Sequence, residues 1–163
     1  MKVKIKRIRP GVLFPTQGTP GSAGWDIYVP KGAFEDQYAT YNALYVHGSY
    51  DLSYADIGPG NILSFKCGFA LEIPEGYYVS VVPRSSMGKK GLYIPNAPAT
   101  IDRDFRGELT IMIQNLGVET QRIREGDRVA QMILHKYHDF EFEEVSELDE
   151  TNRGAGGFGS TGK

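Results

Sequence analysis

Leu63-Ser64-Phe65-Lys66-Cys67-Gly68-Phe69-Ala70-Leu71-Glu72-Ile73 places an apolar side chain at every odd position, with Ser64, Lys66, Gly68 and Glu72 between them. A period of two sends one set of side chains to a buried face and the other toward solvent, so the stretch is a half-buried strand, or two strands with a bulge at Gly68. Pro74-Glu75-Gly76 then turns the chain into Tyr77-Tyr78-Val79-Ser80-Val81-Val82, closed by Pro83, and a hairpin is the simplest account. Working outward, residues 3–8, 108–114 and 128–135 are further strand candidates, with turn signals at Asn115-Leu116-Gly117 and Glu125-Gly126-Asp127. Apolar residues nowhere keep the i, i+3, i+4, i+7 spacing of a long helix. Short strands without intervening helices predict an all-β sandwich or barrel.

Composition agrees. Gly 20, Pro 9, Tyr 10 and Phe 8 supply turns and pleated surfaces. The 163 residues fit one domain, or one domain with a tail. Lys and Arg number 18 against 20 Asp and Glu, a net charge of −2 that argues against a dedicated nucleic-acid binder. The longest apolar run, 43–46, falls far short of the roughly 18 residues a membrane span needs, and the basic start at Lys2, Lys4, Lys6, Arg7 and Arg9 has no apolar stretch behind it. A soluble cytoplasmic protein is expected. A lone Cys67 excludes an internal disulfide framework and a multi-cysteine zinc site, and its place on the apolar face makes it a core residue.

The expected organisation is a β domain over 1–148 and a tail over 149–163. Within the domain, about 33–56 is a tyrosine-rich insertion, with Tyr38, Tyr41, Tyr45, Tyr50 and Tyr54 and little alternation. Residues 139–150 carry seven acids and no base, as expected of a solvated strand edge and linker. The tail spells both G-x-G-x-x-G and G-x-x-x-x-G-K, but neither is followed by the helix that a dinucleotide fold or a phosphate loop requires. What survives is chemistry: glycine amides and the hydroxyls of Ser160 and Thr161 for an anion, Arg153 for charge, Phe158 for stacking. A disordered tail is the competing reading.

Three internal stretches bear on a site. In Pro83-Arg84-Ser85-Ser86-Met87-Gly88, a proline stops a strand, a guanidinium suits phosphate and two serines add donors; a capped turn accounts for the same residues. No relay histidine accompanies these serines, so a serine nucleophile is not expected. Ile101-Asp102-Arg103-Asp104-Phe105-Arg106-Gly107-Glu108 alternates acids and arginines at a strand mouth, where carboxylates hold a water or a metal, or form surface ion pairs worth about 0–1 kcal/mol. Ala23-Gly24-Trp25-Asp26 is a turn entering a strand.

Taken in order, Ala23-Gly24-Trp25-Asp26-Ile27, the Pro83 to Gly88 stretch, Asn96 through Glu108, Gly126-Asp127-Arg128-Val129-Ala130-Gln131-Met132-Ile133 and Arg153-Gly154-Ala155-Gly156-Gly157-Phe158-Gly159-Ser160-Thr161-Gly162 closely resemble the five motifs of the trimeric dUTPases. The resemblance implies a jelly-roll-like β-sandwich of the β-clip kind with a flexible glycine-rich tail. It further implies a homotrimer with sites at subunit interfaces, and hydrolysis of dUTP to dUMP and pyrophosphate with Mg²⁺. Such an activity keeps uracil out of DNA and provides dUMP for thymidylate synthesis.

Carried over residue by residue, the resemblance makes Asp102 the carboxylate that activates the attacking water and Arg153 an arginine finger. It gives Arg84, Ser85 and Gln131 the phosphate chain, with Ser86 and Gly88 shaping the turn. Asn96, Thr100 and Ile101 fall in a hairpin whose backbone reads uracil. Phe105 stands where tyrosine is more usual and packs on deoxyribose without the hydroxyl. Phe158 stacks on the base, Gly159 and Ser160 close with it, and Asp26 bonds waters of a triphosphate-held Mg²⁺ with no direct protein ligand. The alternatives are a dCTP deaminase of the same fold, which would release ammonia, and a dUTP-gated regulatory protein whose insertion docks a protein partner.

Overall fold

The computed structural model describes residues 1–35, 39–41 and 53–157, with 39–41 described in backbone only. The strands among them are β1 (Lys4–Arg7), β2 (Thr16–Gln17), β3 (Trp25–Tyr28), β4 (Ala39–Tyr41), β5 (Tyr54–Ile57), β6 (Ile62–Lys66), β7 (Phe69–Glu72), β8 (Tyr77–Pro83), β9 (Leu92–Tyr93), β10 (Ala99–Ile101), β11 (Thr110–Asn115), β12 (Gln121–Arg124) and β13 (Arg128–Lys136). One short helix, α1 (Ser85–Lys89), interrupts them. The pairings are antiparallel and build a five-stranded sheet β10-β8-β13-β3-β2, a four-stranded sheet β4-β6-β11-β9 and the ribbons β1-β7 and β12-β5. The all-β sandwich expected from the sequence is present. Among the described residues no helix is long and apolar enough to cross a membrane.

Alternation explains the layers. In β11, Ile111 and Ile113 are buried while Thr110, Met112 and Gln114 are more open, and in β6 Leu63 and Phe65 are buried between half-open neighbours. These four meet Val79 and Val81 of β8, Ala130 and Met132 of β13 and Ile27 of β3 in one core. Asn115 is a buried polar residue with its bonds made: Nδ2 donates to the carbonyls of Ile57 and Glu119 at 2.7 Å each, and Oδ1 accepts from the Gly117 amide at 2.9 Å. It pins the turn after β11 to the end of β5, so the desolvated amide costs little.

The 63–73 stretch is two strands, and Gly68 is the point where the chain changes sheets. β6 pairs with β11, whereas β7 pairs with β1. Gly68 has φ +79°, its amide donates to Glu108 Oε1 at 2.7 Å, and its carbonyl accepts from Ile8 at 2.9 Å. The hairpin expected across Pro74-Glu75-Gly76 does not form. The turn exists, with the Tyr77 amide donating to the Pro74 carbonyl at 3.2 Å, but β8 pairs with β13 and β10 instead of β7. A strand buried on both faces, as β7 nearly is, can leave a turn into either layer, and alternation alone does not say which.

Both ends of the tyrosine-rich stretch are built into the sandwich. Ala33 and Phe34 are buried in the core, β4 pairs with β6, and β5 pairs with β12 through the Asp56–Arg122 ion pair at 2.6 Å. The remainder of that stretch, 36–38 and 42–52, and the tail residues 158–163 lie outside the described residues.

Cys67 is buried, and burial pushes its thiol well above the ordinary range, with Glu108 adding to the effect. An ideal Cβ on Gly68 would lie 2.2 Å from Val12 Cγ2, in a left-handed backbone that L side chains resist. Gly68→Ala should therefore destabilise the fold by about 1–3 kcal/mol, read as a lower urea midpoint at unchanged m-value.

Candidate functional site

Asp26 decides the geometry at one end of the five-stranded sheet. It is buried on β3, directly opposite Gln131 of β13. Its Oδ1 accepts from Arg84 Nε at 2.8 Å and its Oδ2 from Arg128 Nη1 at 3.1 Å. Arg84 Nη1 also lies 3.4 Å from the Arg128 carbonyl. One carboxylate thus holds two guanidinium groups, and the cluster keeps a net positive charge facing a cavity of about 280 Å³ lined by Arg84, Ser86, Lys90, Asp127 and Arg128. Gln131 reaches the Pro83 carbonyl at 3.4 Å, and Gly24 leaves it room: a Cβ there would stand 2.1 Å from Gln131 Oε1.

The stretch after Pro83 is a helix of one turn and not only a turn. Arg84 begins it in extended conformation without a side-chain cap, and its carbonyl accepts from the Met87 amide at 2.9 Å and the Gly88 amide at 3.4 Å. Ser85, Ser86 and Gly88 are exposed on it, while Met87 anchors it in the core. A cavity lined by two guanidinium groups, the Lys90 ammonium and the Ser86 hydroxyl is chemically an anion site.

Asp102 lies elsewhere. It follows β10, whose Thr100 and Ile101 pair with Ser80 and Val79, and it lines a second cavity of about 460 Å³ with Tyr78, Thr100, Arg103, Asp104 and Tyr137. Among the described residues neither Asp102 nor Asp104 enters an ion pair. Arg106 turns instead to the carbonyls of Arg103 and Phe105 at 2.5 and 3.1 Å. The surface ion pairs that the alternating charges allowed are not what forms, and the Asp102 carboxylate is left open. Phe105 is 44% exposed and lies over Gly107, where a Cβ would come within 2.4 Å of its ring.

Asn96 is exposed beside a turn in which the Ala97 amide donates to the Ile94 carbonyl at 2.9 Å. The expected hairpin over 96–101 takes a different form. β9 pairs with β11 and β10 with β8, so Ala99–Ile101 is an edge strand whose outer side is unpaired among the described residues. From Tyr78 beside Asp102 to Arg84 the chain runs six extended residues along β8, about 20 Å. Within one chain, then, Asp102 and the arginine cluster cannot touch the same phosphate.

Arg153 is exposed in the tail, its Nε donating to the Gly156 carbonyl at 2.9 Å. Phe158, Gly159 and Ser160 fall outside the described residues. Sequence reasoning quoted Arg128 without giving it a role, and it missed Tyr78 and Tyr137. Only the strand register shows that Arg128 reaches Asp26, and that Tyr78 stacks on His135 at 5.0 Å with Tyr137 edge-on at 6.5 Å.

These features define a β-sandwich with a basic anion pocket at one end of a sheet and an open carboxylate at the other. The chain is similar to the deoxyuridine 5'-triphosphate nucleotidohydrolase of Anaplasma marginale (strain St. Maries), with 41% identity over 99% of each chain. Its fold is similar to that of the Staphylococcus bacteriophage 80alpha dUTPase solved with dUPNHPP, at TM-score 0.77, 22% identity and 99% of each chain. It is also similar in fold to the dUTPase from phage phi11 of S. aureus, solved to show coordination of a structural Mg(II) ion, at TM-score 0.70 and 20% identity over 92% of this chain and 100% of that one. The dUTPase family model matches residues 49–162, and the chain belongs to the dUTPase family.

Asp26→Asn removes the charge that holds two guanidinium groups. Because Arg84 and Arg128 are 26% and 46% exposed, the loss should be about 1–3 kcal/mol, below that of a fully buried pair, and a denaturant titration measures it.

Proposed function

We propose that this chain hydrolyses dUTP to dUMP and pyrophosphate, with Mg²⁺, in the cytoplasm, at sites that join residues of different copies in a homotrimer. The observation that carries the reading is the length of β8: six extended residues, about 20 Å, separate Tyr78, which shares a cavity with Asp102, from Arg84. Two open half-sites on one chain become whole when a second copy brings its arginine cluster to the first copy's carboxylate. Exposed apolar surface supports assembly. Phe140, Phe142 and Leu148 are 75%, 92% and 86% exposed on the acidic stretch after β13, and an apolar groove of about 560 Å³ lies between β1 and β13, lined by Val3, Ile5, Phe14, Trp25, Met132 and Leu134.

The unpaired outer edge of β10 offers backbone donors and acceptors to the edge of uracil, and hydrogen-bond matching rejects a base with a different pattern. Phe105 supplies a face for the deoxyribose. Asp102, open to its cavity, orients a water toward the α-phosphorus and accepts its proton; general-base help of this kind contributes about 10²–10⁴ in rate. Arg84, held by Asp26, directs its remaining N–H groups to the phosphates, with Ser85, Ser86 and Gln131 beside it. Arg153 adds charge where it grows in the transition state, a role worth about 10³–10⁵ in other phosphoryl transfers. Phe158, Gly159 and Ser160 would complete the closure over the base.

No cluster of three or more His, Cys, Asp or Glu able to hold a metal ion occurs among the described residues. Mg²⁺ prefers phosphate oxygens and water, and would enter on the triphosphate. Asp26 would accept from its waters through the lone pair each carboxylate oxygen keeps beyond its guanidinium partner, at the narrow margin its burial leaves open. When bound, Mg²⁺ offsets negative charge on the leaving pyrophosphate.

A pyrophosphate-release panel should show dUTP consumed and dTTP, dCTP and UTP slower by about 10³-fold or more in kcat/KM, without ammonia from dCTP. Comparable rates on dCTP or dTTP would sink the reading. Mixed assembly tests the shared site. Asp102→Asn and Arg84→Ala chains should each be nearly inactive alone, yet recover about a quarter of normal activity when refolded together at equal amounts. No recovery would show that both groups act within one chain.

A further inference from the structure

The described part of the tail is not featureless. The Gly154 amide donates to Thr151 twice, to the hydroxyl Oγ1 at 3.1 Å and to the carbonyl at 3.0 Å. Gly154 has φ +48°, which lets the chain fold back at that point without strain. The Gly156 amide then donates to the Arg153 carbonyl at 3.0 Å, and Arg153 Nε returns a bond to the Gly156 carbonyl at 2.9 Å. Four bonds therefore close two overlapping turns around Arg153. Only Nε of its guanidinium is used in them, so both Nη groups remain for an anion. Thr151 and Arg153 are exposed, and the bonds of this segment run within it.

We infer that Thr151 is a positioning residue for dUTP hydrolysis: its hydroxyl preforms the turn that presents Arg153, so less chain entropy is lost when the tail closes. The inference rests on the proposed reaction and extends it to a residue without contact to the reacting atoms. The physical basis is preorganisation. Fixing backbone dihedrals is the main cost of ordering a free segment, and a turn already closed in the unbound chain has met part of that cost. A threonine hydroxyl that accepts from a nearby backbone amide is a known local device, and losing it at a helix start shifts equilibria by about 3- to 30-fold. Because closure precedes chemistry and persists through it, the loss should fall on ground state and transition state alike. It should therefore appear in KM and not in kcat.

The experiment compares Thr151→Val, which keeps the shape and removes the hydroxyl, with Thr151→Ser, which keeps the hydroxyl. Thr151→Val should raise KM for dUTP about 3- to 30-fold with kcat within about twofold, and Thr151→Ser should restore KM. The thermal midpoint should be the same in all three proteins, because the turn lies outside the core. In ¹⁵N-labelled full-length protein without nucleotide, the amide temperature coefficient of Gly154 should report a hydrogen bond in the unaltered and Ser chains and its weakening in the Val chain. Loss of the Gly154 bond with KM unchanged overturns the inference and leaves dUTP hydrolysis standing. So does a Ser variant as impaired as the Val variant, or a defect confined to kcat. If the unaltered protein releases no pyrophosphate from dUTP, the proposed reaction and the role of Thr151 fall together.

Discussion

The span of β8 governs what a single chain can do. This strand is paired along its whole length to β13 and through its middle, Val79 to Val81, to β10, with Val79 and Val81 in the core. Bending it to bring its ends together would break that ladder and empty the core behind it. The Asp102 carboxylate and the arginine cluster are therefore held apart by the most tightly determined element of the fold. Under the proposed shared site, each half stays rigid and the exposed tail is left to complete the enclosure.

The arginine cluster depends on a carboxylate that water scarcely reaches. Asp26 accepts one guanidinium on each oxygen, and its burial between strands keeps either arginine from swinging outward. The positive charge left over after this pairing is what makes the cavity attractive to phosphate. The neighbouring strand cooperates through an absence: with only hydrogen on Gly24, the Gln131 amide can settle against the backbone opposite Asp26. Three segments far apart in sequence, around residues 24–26, 83–86 and 126–131, thus meet because antiparallel register aligns them.

Legibility in the sequence followed periodicity and chemistry, and it stopped where register begins. The odd-numbered apolar positions of 63–73 announced a pleated core, and Gly68 announced a break. Which sheet each half joins depends on long-range pairing, and so alternation predicts a hairpin over 74–76 that the register does not form. Two-residue strands such as Thr16–Gln17 and Leu92–Tyr93 carry no period to detect. The residues quoted for the candidate site carried bland readings on local grounds, a capped turn at Arg84 and surface ion pairs at Asp102, and took their roles from the ordered set of five motifs that resembles the trimeric dUTPases. Arg128 looked like any charged strand entrance, and Tyr78 and Tyr137 like any aromatic in a sheet, until the register set them beside Asp26 and Asp102.

The bare flank of β10 carries a hazard as well as a use. Unpaired amides and carbonyls invite any extended peptide, the usual start of strand-to-strand aggregation. Here the exposed ladder is only Ala99–Ile101, and Pro98 at its threshold has no amide to lend. A peptide needs a longer register to hold on, whereas a planar base needs two or three contacts. Brevity thus makes the edge a poor template for polypeptide, while three residues still offer as many contacts as the proposed reading of a nucleobase requires.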